Sequence, residues 1–116
     1  MAYNEKMADR IREALMDLPV AEEKKMFQGV CFMVDHKLCV CVRNNDILCR
    51  IGEQQAQLEL EKGNCNQMLS GDRVMKGYVY VEDFNLQTSK DLNYWINLCL
   101  EFNPLAGASK KRKSKN

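Results

Sequence analysis

Val30-Cys31-Phe32-Met33-Val34, Asp35-His36-Lys37, Leu38-Cys39-Val40-Cys41-Val42, Arg43-Asn44-Asn45-Asp46, Ile47-Leu48-Cys49-Arg50-Ile51: this run, residues 30 to 51, decides the fold. Apolar, β-rich segments alternate with short polar connections, a spacing that predicts an antiparallel meander. Lys25-Met26-Phe27 opens the extended region. In the second long segment Leu38, Val40 and Val42 are expected on one face and Cys39 and Cys41 on the other, because side chains alternate across a strand. Both faces are then apolar. One is expected to receive helices, and the other to be covered by a partner subunit or by the remaining chain.

On the N-terminal side, Met7, Ile11, Leu15 and Leu18 recur at helical spacing between a candidate N-cap, Asn4, and a stop at Pro19. On the C-terminal side, Glu53 to Lys62 predicts a short helix closed by Gly63, a residue suited to a left-handed C′ position. Residues 64 to 70 fit either irregular chain or a short strand. Beyond the Ser70-Gly71-Asp72-Arg73 turn, Tyr78-Val79-Tyr80-Val81 alternates as a strand does. Leu92, Trp95, Ile96, Cys99 and Leu100 form a stripe on a last helix, with Thr88 and Asp91 resembling a capping box and Pro104 as its stop. The fold class is α+β: an antiparallel β-meander sheet flanked by an N-terminal and a C-terminal helix, with a short helix inserted before the last strand. The expected domain covers residues 1–104, and residues 105–116 are expected to form a disordered basic tail.

At 116 residues the chain suffices for one domain. Its 46% apolar and 28% charged residues exclude a disordered or collagen-like chain. The net charge of +1 conceals a division: Lys110, Lys111, Arg112, Lys113 and Lys115 crowd the tail, leaving twelve basic against sixteen acidic residues before it. No apolar run is long enough for a membrane span and no signal peptide is recognisable, so a cytoplasmic protein with no membrane partner is expected. The six cysteines are then expected as reduced thiols filling the core. Zinc is the sharper alternative, with Cys39 and Cys41 joined by Cys31 or Cys49. It is disfavoured because no C-x-x-C pair occurs and His36 is the only histidine. No metal and no cofactor are expected.

The same residues argue against catalysis. His36 is the only available histidine base, and its predicted turn offers nothing to orient it. Phosphate-loop and dinucleotide fingerprints are missing, and Glu22-Glu23 and Glu59-Glu61 read as solvated faces. A non-enzymatic protein is expected. What remains is positive charge beside aromatic rings: Lys25, Arg50, Arg73 and Lys76 are candidate contacts for an anion or a partner. Arg50 in its apolar strand must reach solvent, a carboxylate or a bound anion. Tyr78 and Tyr80 are either base-stacking platforms or half-buried sheet residues. Lys110, Lys111, Arg112, Lys113 and Lys115 either grip nucleic-acid phosphates or keep the chain in solution.

Glu23-Lys24-Lys25-Met26-Phe27-Gln28-Gly29-Val30-Cys31-Phe32-Met33 resembles the opening of the N-terminal domain of the TfoX/Sxy family of bacterial proteins, with Gln28 where the family has a first glycine. The likeness continues through Arg50-Ile51-Gly52, Met75-Lys76-Gly77-Tyr78-Val79-Tyr80-Val81 and Trp95. It covers about residues 1 to 103. Full-length members of that family regulate natural competence beside a cyclic-AMP receptor protein and carry a second domain. The resemblance therefore implies a stand-alone N-terminal domain acting as a regulatory interaction module. Its expected partners are a protein, either transcription machinery or a second copy, and DNA. The alternative is a small-ligand or anion-binding domain, an uncharacterised enzyme included, built on Lys25, Arg50 and Lys76.

Overall fold

The computed structural model describes residues 4–18, 21–26 and 29–106. Gln28 and the basic residues Lys110, Lys111, Arg112, Lys113 and Lys115 lie outside the described residues.

Helix α1, Glu5–Ala14, starts at Asn4, whose Oδ1 accepts the Met7 amide hydrogen at 3.1 Å. It ends one turn before the expected stop. Leu15 and Leu18 carry the apolar stripe onward from a turn and still pack on the core. Strands β1 (Ala21–Met26), β2 (Gly29–Val34), β3 (Lys37–Val42) and β4 (Asp46–Arg50) follow, then α2 (Glu53–Lys62), β5 (Asn66–Ser70), β6 (Arg73–Glu82) and α3 (Ser89–Phe102). Single 3₁₀ turns occupy Asp83–Leu86 and Asn103–Leu105. The sheet is antiparallel throughout, in the order β1-β2-β3-β4-β6-β5. Four strands form the expected meander. After α2, however, it is β6 that pairs with β4, which leaves β5 at the edge. Within residues 64 to 70, Asn66–Ser70 thus form a strand, and beyond Pro104 Ala106 is buried.

The β2–β3 connection is a two-residue turn, Asp35-His36, with both residues at positive φ (55° and 64°). That geometry matches the right-handed twist of a tight hairpin. His36 is 80% exposed on its side chain, 3.5 Å from Glu22, as the turn assignment expects.

A β-bulge alters the expected face assignment in β3. Phe32 pairs with Val40 but Met33 pairs with Leu38, so Cys39 is an extra residue without a partner of its own. The bulge turns Cys39 to the helix side, where it joins the cluster of Val40, Val42, Cys49 and Cys99. Cys41 stays on the other face and stands opposite Cys31. Cys39 and Cys41 therefore do not share a face, contrary to strict alternation.

The helix side of the sheet meets Met7, Ala8 and Ile11 of α1, Ala56 of α2, and Leu92, Trp95, Ile96 and Cys99 of α3. The other face is covered by the chain itself. Cys31, Met33, Leu38, Cys41 and Leu48 are buried there with Met68 of β5, and Met75, Tyr78 and Tyr80 of β6 pack against them.

Candidate functional site

Two separate stretches of chain, Arg50-Ile51-Gly52 and Lys76-Gly77-Tyr78, meet where β4 ends and α2 begins. Arg50 and Tyr78 are cross-strand partners. Beyond Arg50 the chain leaves the sheet, and the amides of Ile51 and Gly52 both donate to the Gly77 carbonyl, at 2.9 and 3.1 Å. That convergence is possible because β6 is irregular there. Val74 pairs with Leu69 and Val79 with Gln67, so residues 75 to 78 stand against Met68 alone. The slack lets Lys76 and Gly77 lean toward the end of β4.

Gly52 and Gly77 are at φ 91° and 87°, a region that side chains disfavour. They also sit against each other: a Cβ on Gly77 would lie 3.4 Å from the Gly52 Cα and 3.3 Å from the Glu53 nitrogen. A Cβ on Gly52 would meet the Phe102 ring at 2.7 Å. Phe102, at the end of α3, is thereby laid over the glycine turn.

This contact leaves a cavity of about 300 Å³ lined by Arg50, Lys76, Tyr78 and Phe102, with the glycines as its floor and Glu53 on its wall. The Arg50 guanidinium carbon is 5.5 Å from the Tyr78 ring centre and 5.9 Å from that of Phe102, within cation–π range of both. Among the described residues neither Arg50 nor Lys76 has a carboxylate within 4 Å. Two cations therefore line the cavity outside any ion pair, with Glu53 as the carboxylate in the same lining. The start of α2 adds to the positive field, since Gly52 is its N-cap and supplies no side-chain acceptor to the first-turn amides. Such an arrangement can hold an anion, with the planar guanidinium fork suited to a carboxylate or phosphate.

Of the four cationic residues singled out in the sequence, the structure brings together only Arg50 and Lys76. Lys25 lies on β1, opposite Val30, with β2, β3 and β4 between it and β6. Arg73 sits at the turn end of the β5–β6 hairpin, paired with Ser70. Tyr78 and Tyr80 are half-buried, and each carries a guanidinium on its ring, Arg50 for Tyr78 and Arg43 at 4.3 Å for Tyr80. They are sheet residues rather than open stacking platforms.

The acidic pair Glu59-Glu61 does not form a solvated face. Glu59 is fully buried, at i+3 from the buried Ala56. It accepts hydrogen bonds from the Tyr94 hydroxyl at 2.5 Å, Gln55 Nε2 at 2.8 Å and Asn64 Nδ2 at 3.3 Å, with Lys62 Nζ at 3.4 Å. Burial alone would push its carboxyl up, but these bonds and the Lys62 charge outweigh it and hold Glu59 below the usual carboxylate range. The network ties α2 to α3 and so fixes the helix whose start walls the cavity. Its sequence signal was the apolar face of α2, which continues from Ala56 into Glu59.

Five of the six thiols, all but Cys65, are buried in the core. Cys31 and Cys41 share a hydrogen bond that, with burial, holds Cys41 well above the ordinary thiol range. Cys39 is raised by its hydrogen bond with Cys99 and by burial. Among the described residues no group of three or more His, Cys, Asp or Glu side chains is placed to hold a metal, and no helix is long and apolar enough to cross a membrane.

No curated protein and no solved structure matches the chain. Residues 13–103 match the TfoX N-terminal domain, a span that contains the whole cavity and every strand. Both segments that build the cavity, Arg50-Ile51-Gly52 and Met75 to Val81, lie within the matched span. The chain belongs to the TfoX N-terminal domain family, a family of competence-regulator-like domains.

Proposed function

We propose that this chain is a non-enzymatic regulatory interaction module of the cytoplasm, and that it engages its partner by binding an anionic group in the Arg50–Lys76 cavity. One observation carries this reading: two cations without carboxylate partners converge on a cavity whose floor is held open by glycines. A carboxylate or phosphate entering there gains charge-assisted hydrogen bonds, and Arg50, already stacked between rings, loses little side-chain freedom in making them. The lining favours holding a ligand over transforming one, since the two glycines and two rings shape the space and the two cations, with the single carboxylate of Glu53, supply the polarity.

Of the partners the family suggests, a protein of the transcription machinery or a second copy presents carboxylates on its surface and fits directly. DNA is the expected contact of the tail residues Lys110, Lys111, Arg112, Lys113 and Lys115, whose charges can release phosphate counterions without reading bases. Lys25 and Arg73, away from the cavity, are proposed as outlying contacts that add steering rather than specificity.

The test is a titration of the ¹⁵N-labelled chain with inorganic phosphate at constant ionic strength. Saturable shifts of the Gly52, Glu53 and Gly77 amides are expected, abolished in Arg50→Gln and weakened in Lys76→Gln. Equal shifts in the wild type and in Arg50→Gln would overturn the proposal.

A further inference from the structure

The cationic cavity does not stand alone. Across the Phe102 ring lies a second hollow of about 460 Å³, which shares Gly52, Glu53 and Phe102 with the first. Leu98 and Leu105 give it an apolar wall, and Glu101 stands at its side. Leu105 is 78% exposed, an apolar side chain held out at the rim by the 3₁₀ turn Asn103–Leu105. Gln54 and Gln55 of the first turn of α2 border the same hollow, and the first-turn amides receive no capping side chain.

We infer that the two hollows form one groove for an acidic–apolar peptide segment of a partner protein. Its carboxylate side chain enters the Arg50–Lys76 lobe, and a neighbouring apolar side chain crosses Phe102 to cover Leu98 and Leu105. This rests on the anion-binding reading of the first lobe and adds the class of partner. Charge complementarity selects the occupant. The first lobe has two cations against Glu53, whereas the second has Glu53 and Glu101 with no cation lining it. A second negative group is repelled from the second lobe, so a nucleic-acid backbone, with phosphates at regular intervals, fits poorly. A free phosphate fills only the first lobe and leaves Leu105 in water. A peptide with one acid beside leucines meets both requirements, and its carbonyls can accept from the uncapped α2 amides.

The full chain is titrated, with amide shifts as readout, against acetyl-Ser-Asp-Leu-Leu-Ser-amide, its Asn-for-Asp analogue, its Ser-for-Leu analogue and sodium phosphate. The Asp-Leu-Leu peptide is expected to move amides on both sides of Phe102, from Gly77 to Leu105, and to bind at least tenfold more tightly than the Asn analogue. Leu105→Ser, a rim substitution, is expected to weaken that peptide roughly fivefold while leaving the phosphate response unchanged. If phosphate moves Gly52 and Gly77 but the two leucines add no affinity, or Leu105→Ser has no effect, the groove is refuted and the anion cavity survives. If neither phosphate nor any peptide moves these amides, both fail.

Discussion

Replacing Tyr94 with phenylalanine isolates one bond of the network that holds α2 against α3. The hydroxyl donates to Glu59 Oε2 and accepts from Lys62 Nζ at 3.2 Å, and Glu59 itself has no exposure to water. A hydrogen bond to a charged group contributes about 1.5–3 kcal/mol, and its loss here leaves a buried carboxylate with one donor fewer. Tyr94→Phe should therefore cost about 2 kcal/mol at pH 7, which for a domain of this size lowers Tm by roughly 8 °C. The pH dependence follows from Glu59. Its folded carboxyl is held below the unfolded value of about 4.3, so the folded state binds fewer protons and the carboxylate's contribution is complete above that value. It is lost as pH falls through the folded value. Urea denaturation at pH 7 and at successively lower pH reads both effects. The Tyr94→Phe cost should shrink on acidification, and Glu59→Gln, which cannot titrate, should lose stability at pH 7 but change less than the wild type between pH 7 and pH 3. A Tyr94→Phe cost under about 0.5 kcal/mol at pH 7, unchanged on acidification, would refute the network as the fastening of α2 and leave the apolar contacts of Ala56 and Leu60 to hold it.

Gly77→Ala places a Cβ at positive φ against the Gly52 backbone and should cost about 1–3 kcal/mol in chemical denaturation, with loss of the phosphate response; Gly63→Ala, at φ 80° with open space around it, should cost less and leave that response intact. Counting thiols with a disulfide reagent should find Cys65 alone reactive in the native chain and faster as pH rises, because burial and Glu59 push its thiol up to about 11 while the other five cysteines are buried. Native reaction of a second cysteine would contradict that packing. If the tail grips DNA, deleting residues 110 to 115 should reduce the slope of log affinity against log salt by about four to five, five charges contributing roughly 0.9 each. An unchanged slope would assign the tail to solubility.

Most of the fold could be read from local signals because each was self-contained. Asn4 and Thr88 accept the Met7 and Asp91 amides as caps, Gly63 closes α2 in the left-handed region, and the stripe from Leu92 to Cys99 is buried. Misreadings came where a neighbour overrode the local rule. Alternation placed Cys39 beside Cys41, but an unequal count of residues between β2 and β3 turned Cys39 to the helices, and nothing within β3 announces that count. Glu59 reads as solvated from its charge. It is buried because Tyr94, Gln55 and Asn64 surround it, and Tyr94 lies 35 residues away.

The candidate site shows the same limit in its sharpest form. Arg50 and Lys76 were recognisable singly, each as a cation near apolar or aromatic residues, yet Lys25 and Arg73 carried the same signal and lie elsewhere. What separates the pairs is backbone geometry. Arg50 precedes a glycine at φ 91° and Lys76 precedes one at φ 87°, and the Gly77 carbonyl takes both amides that follow Arg50. Arg50 thus stands two residues, and Lys76 one residue, ahead of a turn that only glycine makes comfortably, and the two turns close on each other. No comparable glycine follows Lys25 or Arg73. The site is specified by the pairing of Arg50-x-Gly52 with Lys76-Gly77, and its position depends on the bulge of residues 75 to 78 against Met68. Restoring regular β5–β6 pairing by shortening that bulge should therefore remove the cavity while both cations remain in the chain.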